Sequence, residues 1–169
     1  MGGLAAFAAN LLRLRMERRF QRRNVAAALA AELEAICDHM TDEYVKRLEL
    51  MDTAILHHDL YPYYGFRGEK EYMPIFRVLG QSLGLLPRPL PRELIFWYTT
   101  MTVCLERARD LYELAKNQTS EASRTAFAMT QLQRKEIARL LEAAPPLIKR
   151  LEQLAEDPAF PPRSHRGIG

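Results

Sequence analysis

The stretch "NVAAALAAELEAICDHMTDEYVKRLELMDTAIL", residues 24–56, decides the fold. Its apolar positions are Val25, Leu29, Leu33, Ile36, Met40, Tyr44, Leu48, Met51 and Ile55. They recur in steps of three and four, the period of one face of an α-helix, for about eight turns. Ala26–Ala28, Ala30, Ala31 and Ala35 add helix propensity and let a second helix approach closely. A stripe this long on one rod requires other rods to lie against it.

Downstream, "HHDLYPYYGFRGEKEYMPIF" (57–76) ends the helix, because Pro62, Gly65 and Gly68 cannot prolong it. Residues 72–86 read as one or two short helical turns, with Pro74 suited to a first turn. "PRPLP" (87–91) is a rigid connector. A second long helix begins near Pro91 and carries Leu94, Trp97, Met101, Cys104 or Leu105, Ala108, Leu111 and Ala115. "KNQTS" (116–120) closes it, and Thr119 or Ser120 caps a third helix. That helix shows Ala126, Met129, Leu132, Ile137, Leu140, Ala144, Leu147, Leu151 and Leu154. Pro145–Pro146 falls inside it and predicts a kink or a restart. The short connection makes the last two helices an antiparallel hairpin. The expected fold is all-α: an elongated three-helix bundle with an αα-hairpin, capped at one end by the 72–86 segment.

Upstream, "MGGLAAFAANLLRLRMERRFQRR" (1–23) is apolar to residue 12 and then basic. A secretory signal has the opposite order, and an apolar run of this length falls short of the about 20 residues a membrane span needs. Three readings stay open: the end of a span that begins earlier, an interfacial anchor, or a solvated extension. Leu11, Leu12, Leu14, Met16 and Phe20 do not gather on one narrow helical face. The division expected is a basic arm over 1–23, a helical domain over 24–157 and a disordered tail over 158–169.

Charge follows that division. The net charge is +3 in 169 residues, yet Arg13, Arg15, Arg18, Arg19, Arg22 and Arg23 oppose only Glu17 within the arm, and the stretch 24–157 is net acidic. Polyanion contact therefore belongs to those six arginines, with an anionic membrane surface as the first choice. Nucleic-acid binding through the same arm is the weaker alternative. Positive charge beside a membrane favours the cytoplasmic side. Cys37 and Cys104 are too few for a disulfide framework and read as free thiols of a reducing compartment.

"EYMPIFRVLGQSLGLLPRPLPRELIFWYT" (71–99) resembles a segment of a group of uncharacterised bacterial helical proteins. In these a hydrophobic anchor and a basic patch precede a long helix and a Tyr-x-Pro-x-Phe, Ile-Gly-x-Leu and Phe-Tyr pattern. The matching residues are Tyr72, Ile75 and Phe76, then Leu83, Gly84 and Leu85 or Leu86, then Trp97 and Tyr98. The resemblance implies helical architecture and membrane proximity, and no reaction. An aromatic from the short segment is expected to fill the gap between long helices, with Gly84 at a turn that a Cβ would obstruct.

Chemistry finds little purchase. His39 and Glu43 have the i,i+4 spacing of a bidentate pair, but His39 and His57 lie about 27 Å apart on one helix, too far to share an ion. His57 and His58 fit a helix C-terminus, where a cationic ring meets free carbonyls. No serine lies in a nucleophile elbow, and no Lys-Ser/Thr follows the glycines as a phosphate loop requires. The reading is a non-catalytic interaction or scaffold module without cofactor or metal, cytoplasmic and associated with the inner membrane. Its expected partners are another protein or a second copy, engaged through Tyr61, Tyr63, Tyr64, Phe66 and Arg67. The rival is an enzyme with a bundle-core site of His39, Asp42 and Glu43.

Overall fold

A computed structural model describes residues 2–46, 49, 73–115 and 120–156. The chain is all-α, with no strand among the described residues. Helix α1 spans Gly2–His39 and passes directly into a π-helical turn, Met40–Val45. Helix α2 (Pro74–Leu79) is followed by a 3₁₀ turn (Gly80–Leu85), then α3 (Leu90–Ala115) and α4 (Ser120–Glu156).

The stripe that predicted the first helix is the wall of the core. Val25, Leu29, Leu33, Ile36, Met40 and Tyr44 are all buried. They meet Leu94, Trp97, Met101, Cys104, Ala108 and Leu111 of α3 and Ile137, Leu140, Ala144, Leu147 and Leu151 of α4 in one cluster. Helix directions follow from side-chain contacts. Arg23 reaches the Ala155 carbonyl, and Glu49 reaches Arg134, so α1 and its continuation run antiparallel to α4. Glu93 pairs with Arg150 and Gln133 bonds the Cys104 carbonyl, so α3 also runs antiparallel to α4. The connection at 116–119 lies outside the described residues, as does 50–72.

Three expectations differ from the structure in whole or in part. Of the kink or restart expected at Pro145–Pro146, the restart does not occur: helix α4 continues through them to Glu156. The prolines supply no N–H to the carbonyls of Leu141 and Glu142, and just before that weakened ladder the Trp97 indole donates to the Leu140 carbonyl at 2.9 Å. Leu132 is 61% exposed, while Gln133 beside it is fully buried. The α4 stripe is 133, 137, 140, 144, 147, 151, and Leu132 sits about 100° off it. Gly84 has an ordinary backbone conformation, and a Cβ there would meet nothing within 4 Å. The turn before Leu85 needs no glycine.

Helix α1 runs through Asn24 unbroken from the arm. The connector holds a cis Arg88–Pro89 peptide bond. The expected filling of the gap by an aromatic is met by Phe76, whose ring stacks on Tyr98 with centroids 3.8 Å apart and 11° between planes.

Candidate functional site

Two features separate from ordinary core packing: a buried carboxylate that fastens the short helices, and a helical arm that the core leaves bare. The carboxylate is Glu32, 6% exposed. It stands three residues after Leu29 and four before Ile36, on the buried face of α1. One carboxylate oxygen accepts the Ile75 N–H at 2.6 Å; the other accepts the Phe76 N–H at 2.9 Å and the Tyr98 hydroxyl at 2.8 Å. The backbone N–H groups in the first turn of a helix have no intrahelical acceptor, and negative charge is stabilised there. Glu32 thus supplies from α1 the cap that α2 lacks locally, since Met73 offers no side-chain hydrogen bond.

Tyr98 completes the arrangement. Burial first, and then the Glu32 carboxylate, push its hydroxyl well above the ordinary tyrosine range, so it stays a donor. Trp97 lies edge-on to it, with centroids 5.3 Å apart and planes at 79°. Both aromatics are almost fully buried. The carboxylate is buried and hydrogen-bonded to backbone and phenol, and so fastens α2 to α1 and α3.

The second cysteine belongs to another buried row. Cys104 is buried and Cys37 half-buried, both free. Burial, then Glu136, raises the Cys104 thiol to about 11; burial, then Asp38, raises Cys37 to about 11. Neither is a thiolate nucleophile near neutrality. Glu136 also pairs with Arg107.

The arm is the opposite case. Phe7, Leu11 and Leu14 lie on the same rotational face of α1 as Val25, Leu29 and Ile36, at 100° per residue. They are 63%, 42% and 48% exposed, whereas Leu29 is fully buried. Leu12, Met16 and Phe20 are exposed on the far side. The bundle ends where Arg23, half-buried, donates to the Ala155 carbonyl at 2.8 Å. Beyond that level α1 continues for about 30 Å, at 1.5 Å per residue. Arg13, Arg15, Arg18 and Arg19 are exposed, Arg13 in an i,i+4 pair with Glu17. Arg22, like Arg23, is half-buried. The six arginines thus divide into four presented outward and two at the domain's edge.

The other site residues read from sequence fall as follows. Tyr61, Tyr63, Tyr64, Phe66 and Arg67 lie outside the described residues, as do His57 and His58. His39 ends α1 and is half-buried; Asp42 is exposed and pairs with Lys46 at 3.1 Å; the Glu43 side chain is not described. Among the described residues no group of His, Cys, Asp and Glu could hold a metal ion, and no helix is long and apolar enough to cross a membrane. The burial of Glu32 runs against its residue type, since a glutamate on a helix is usually solvated. Its position inside the apolar stripe was the available signal.

No protein-family model, curated protein or solved structure matches this chain.

Proposed function

We propose that this chain is a non-catalytic helical interaction and scaffold module, held at the cytoplasmic face of a bacterial membrane by its N-terminal arm. Its three long helices act as an elongated bundle, with α3 and α4 as a hairpin and residues 74–85 as the cap fastened by Glu32. The observation that supports the reading is the bare stripe: apolar residues from Phe7 to Phe20 exposed on both sides of α1, with four outward arginines among the later ones.

The physical case is a division of the arm along its axis. Gly2–Leu12 contains no charged residue. At 1.5 Å per residue it measures about 16 Å, about half of a 30 Å hydrocarbon core. Phe7 and Leu11 on one side and Leu12 on another suit entry into acyl chains better than lying flat on headgroups. The arginines that follow meet anionic headgroups, each contributing about 1 kcal/mol near the surface. A second copy is disfavoured as the arm's partner because two such arms would bring like charges together.

Flotation with vesicles of phosphatidylcholine alone or with 30% phosphatidylserine (about the anionic content that gives a strong surface potential) tests this. The full chain floats with the anionic vesicles. Arg15→Glu, Arg18→Glu and Arg19→Glu together leave it at the bottom, with the helical circular dichroism unchanged. Equal flotation of this variant and the parent overturns the reading. Retention on DNA without flotation transfers the arm to nucleic acid, and that binding would fall steeply with salt.

A further inference from the structure

The α3–α4 face carries a groove of about 820 Å³. Its α4 wall is Arg139, Ala143, Pro146 and Arg150, in steps of four, three and four. Its α3 wall includes Arg92 and Phe96, four residues apart. Both walls are helical rows on one face. Along α4 the order is cation, apolar, apolar, cation, and the two arginines are eleven residues or about 16 Å apart.

The groove is partly open to solvent and is lined by residues of both helices. Phe96 stands 70% exposed within it, over a floor that includes Trp97. Its two glutamates are already used: Glu93 pairs with Arg150 and Glu136 with Arg107. Arg92 and Arg139 have no ion-pair partner among the described residues. The surface therefore presents uncompensated positive charge around an apolar centre, on two antiparallel helices whose other side is occupied by α1.

We infer that this groove binds an acidic amphipathic helix of a partner protein. The complement to the α4 row is a helix bearing carboxylates three turns apart on one face, with apolar residues at the two positions between them. Such a helix pairs one end with Arg139 and the other with Arg92, beside the Glu93–Arg150 pair, and lays its apolar middle on Phe96, Ala143 and Pro146. It follows the helix-in-groove mode, in which apolar residues anchor and charge sets direction and partner choice. The inference rests on the reading of the chain as an interaction module but is independent of membrane placement.

The probe is a fluorescein-labelled, alanine-rich peptide of about 18 residues, long enough to hold helix. It carries glutamates at both ends of a leucine face with the same four-three-four spacing. Anisotropy is followed with the full chain in vesicle-free buffer, so failure here and failure of flotation are separate results. Saturable binding on the order of 10 µM is expected. Arg92→Glu with Arg139→Glu weakens it at least about tenfold and restores binding to a lysine-for-glutamate peptide. Phe96→Ser, at an exposed position, weakens it with unchanged circular dichroism. No saturation below about 1 mM, equal binding of a scrambled peptide, or indifference to the arginine reversal overturns the inference. Two outcomes would give the groove to another occupant and likewise overturn it. One is dimerisation of the chain that Phe96→Ser abolishes; the other is binding of dodecanoate, with the same arginine dependence, in place of the peptide.

Discussion

Helix α1 holds two regions that a hydropathy reading treats alike and the fold treats oppositely. From Val25 to Ile36, and on to Met40 and Tyr44 in the π-helical turn, its stripe is buried; from Phe7 to Phe20 its large apolar residues are 42–65% exposed. The two regions share one helix and, through Phe7, Leu11 and Leu14, one face. What differs is the neighbour. Helix α4 lies alongside the first region, and its described end at Glu156 coincides with the level of Arg23. Apolar residues on a helix thus mark a need for a partner without saying whether the same chain provides it.

That contrast is broken or sharpened first by paired truncations. Leu33→Ala, at a fully buried position, is expected to cost about 2–5 kcal/mol in urea unfolding. Leu11→Ala should stay within about 0.5 kcal/mol, as exposed substitutions do. Equal costs would mean the arm is packed in solution and would remove the basis for the membrane reading.

Next in size is the Glu32 latch. Glu32→Gln is expected to cost about 2–3 kcal/mol, because an amide presents only one accepting oxygen to three donors and leaves buried N–H or O–H groups unmet. Tyr98→Phe should cost about 1 kcal/mol, and the double variant less than the sum. Strict additivity would show that the carboxylate and phenol are not coupled.

Alkaline pH acts on the same buried region. Both thiols are raised to about 11 from an ordinary 9.0. A raised folded-state value means the native protein holds its proton more tightly than the unfolded chain, so the contribution is complete below pH 9 and is lost as pH rises through about 11. Tyr98 shifts in the same direction. The urea midpoint should fall between pH 9 and 11, and the Cys104→Ala variant should fall less steeply over that range. A flat profile would contradict the burial of these groups.

The smallest effect concerns the border between the two regions. Arg23→Ala removes the hydrogen bond to the Ala155 carbonyl and should cost about 1 kcal/mol, while vesicle flotation persists through the four exposed arginines. Loss of flotation with unchanged stability would place Arg23 with the arm instead.

Much of the fold was legible because helical periodicity is a local property. Every buried α1 stripe position through Tyr44 follows from three-four spacing, as do Trp97, Met101, Ile137, Leu140, Ala144, Leu147 and Leu151. The errors arise where identity and position disagree. Leu132 is apolar but off the stripe, and Gln133 is polar but on it, with its amide donating 2.6 Å to the Cys104 carbonyl. Gly84 invited a conformational role that the 3₁₀ turn does not require.

Sequence alone determined the helical class, the face that α1 buries and the basic arm, because each depends on residues close together along the chain. Tertiary structure decided the rest. It set Glu32 of α1 against the first turn of α2 and Tyr98 of α3, stopped the core at Arg23, and aligned Arg92 with Arg139 and Arg150 across a groove. Those relations join residues dozens of positions apart, and only the packing of one rod against another fixes which side chains meet.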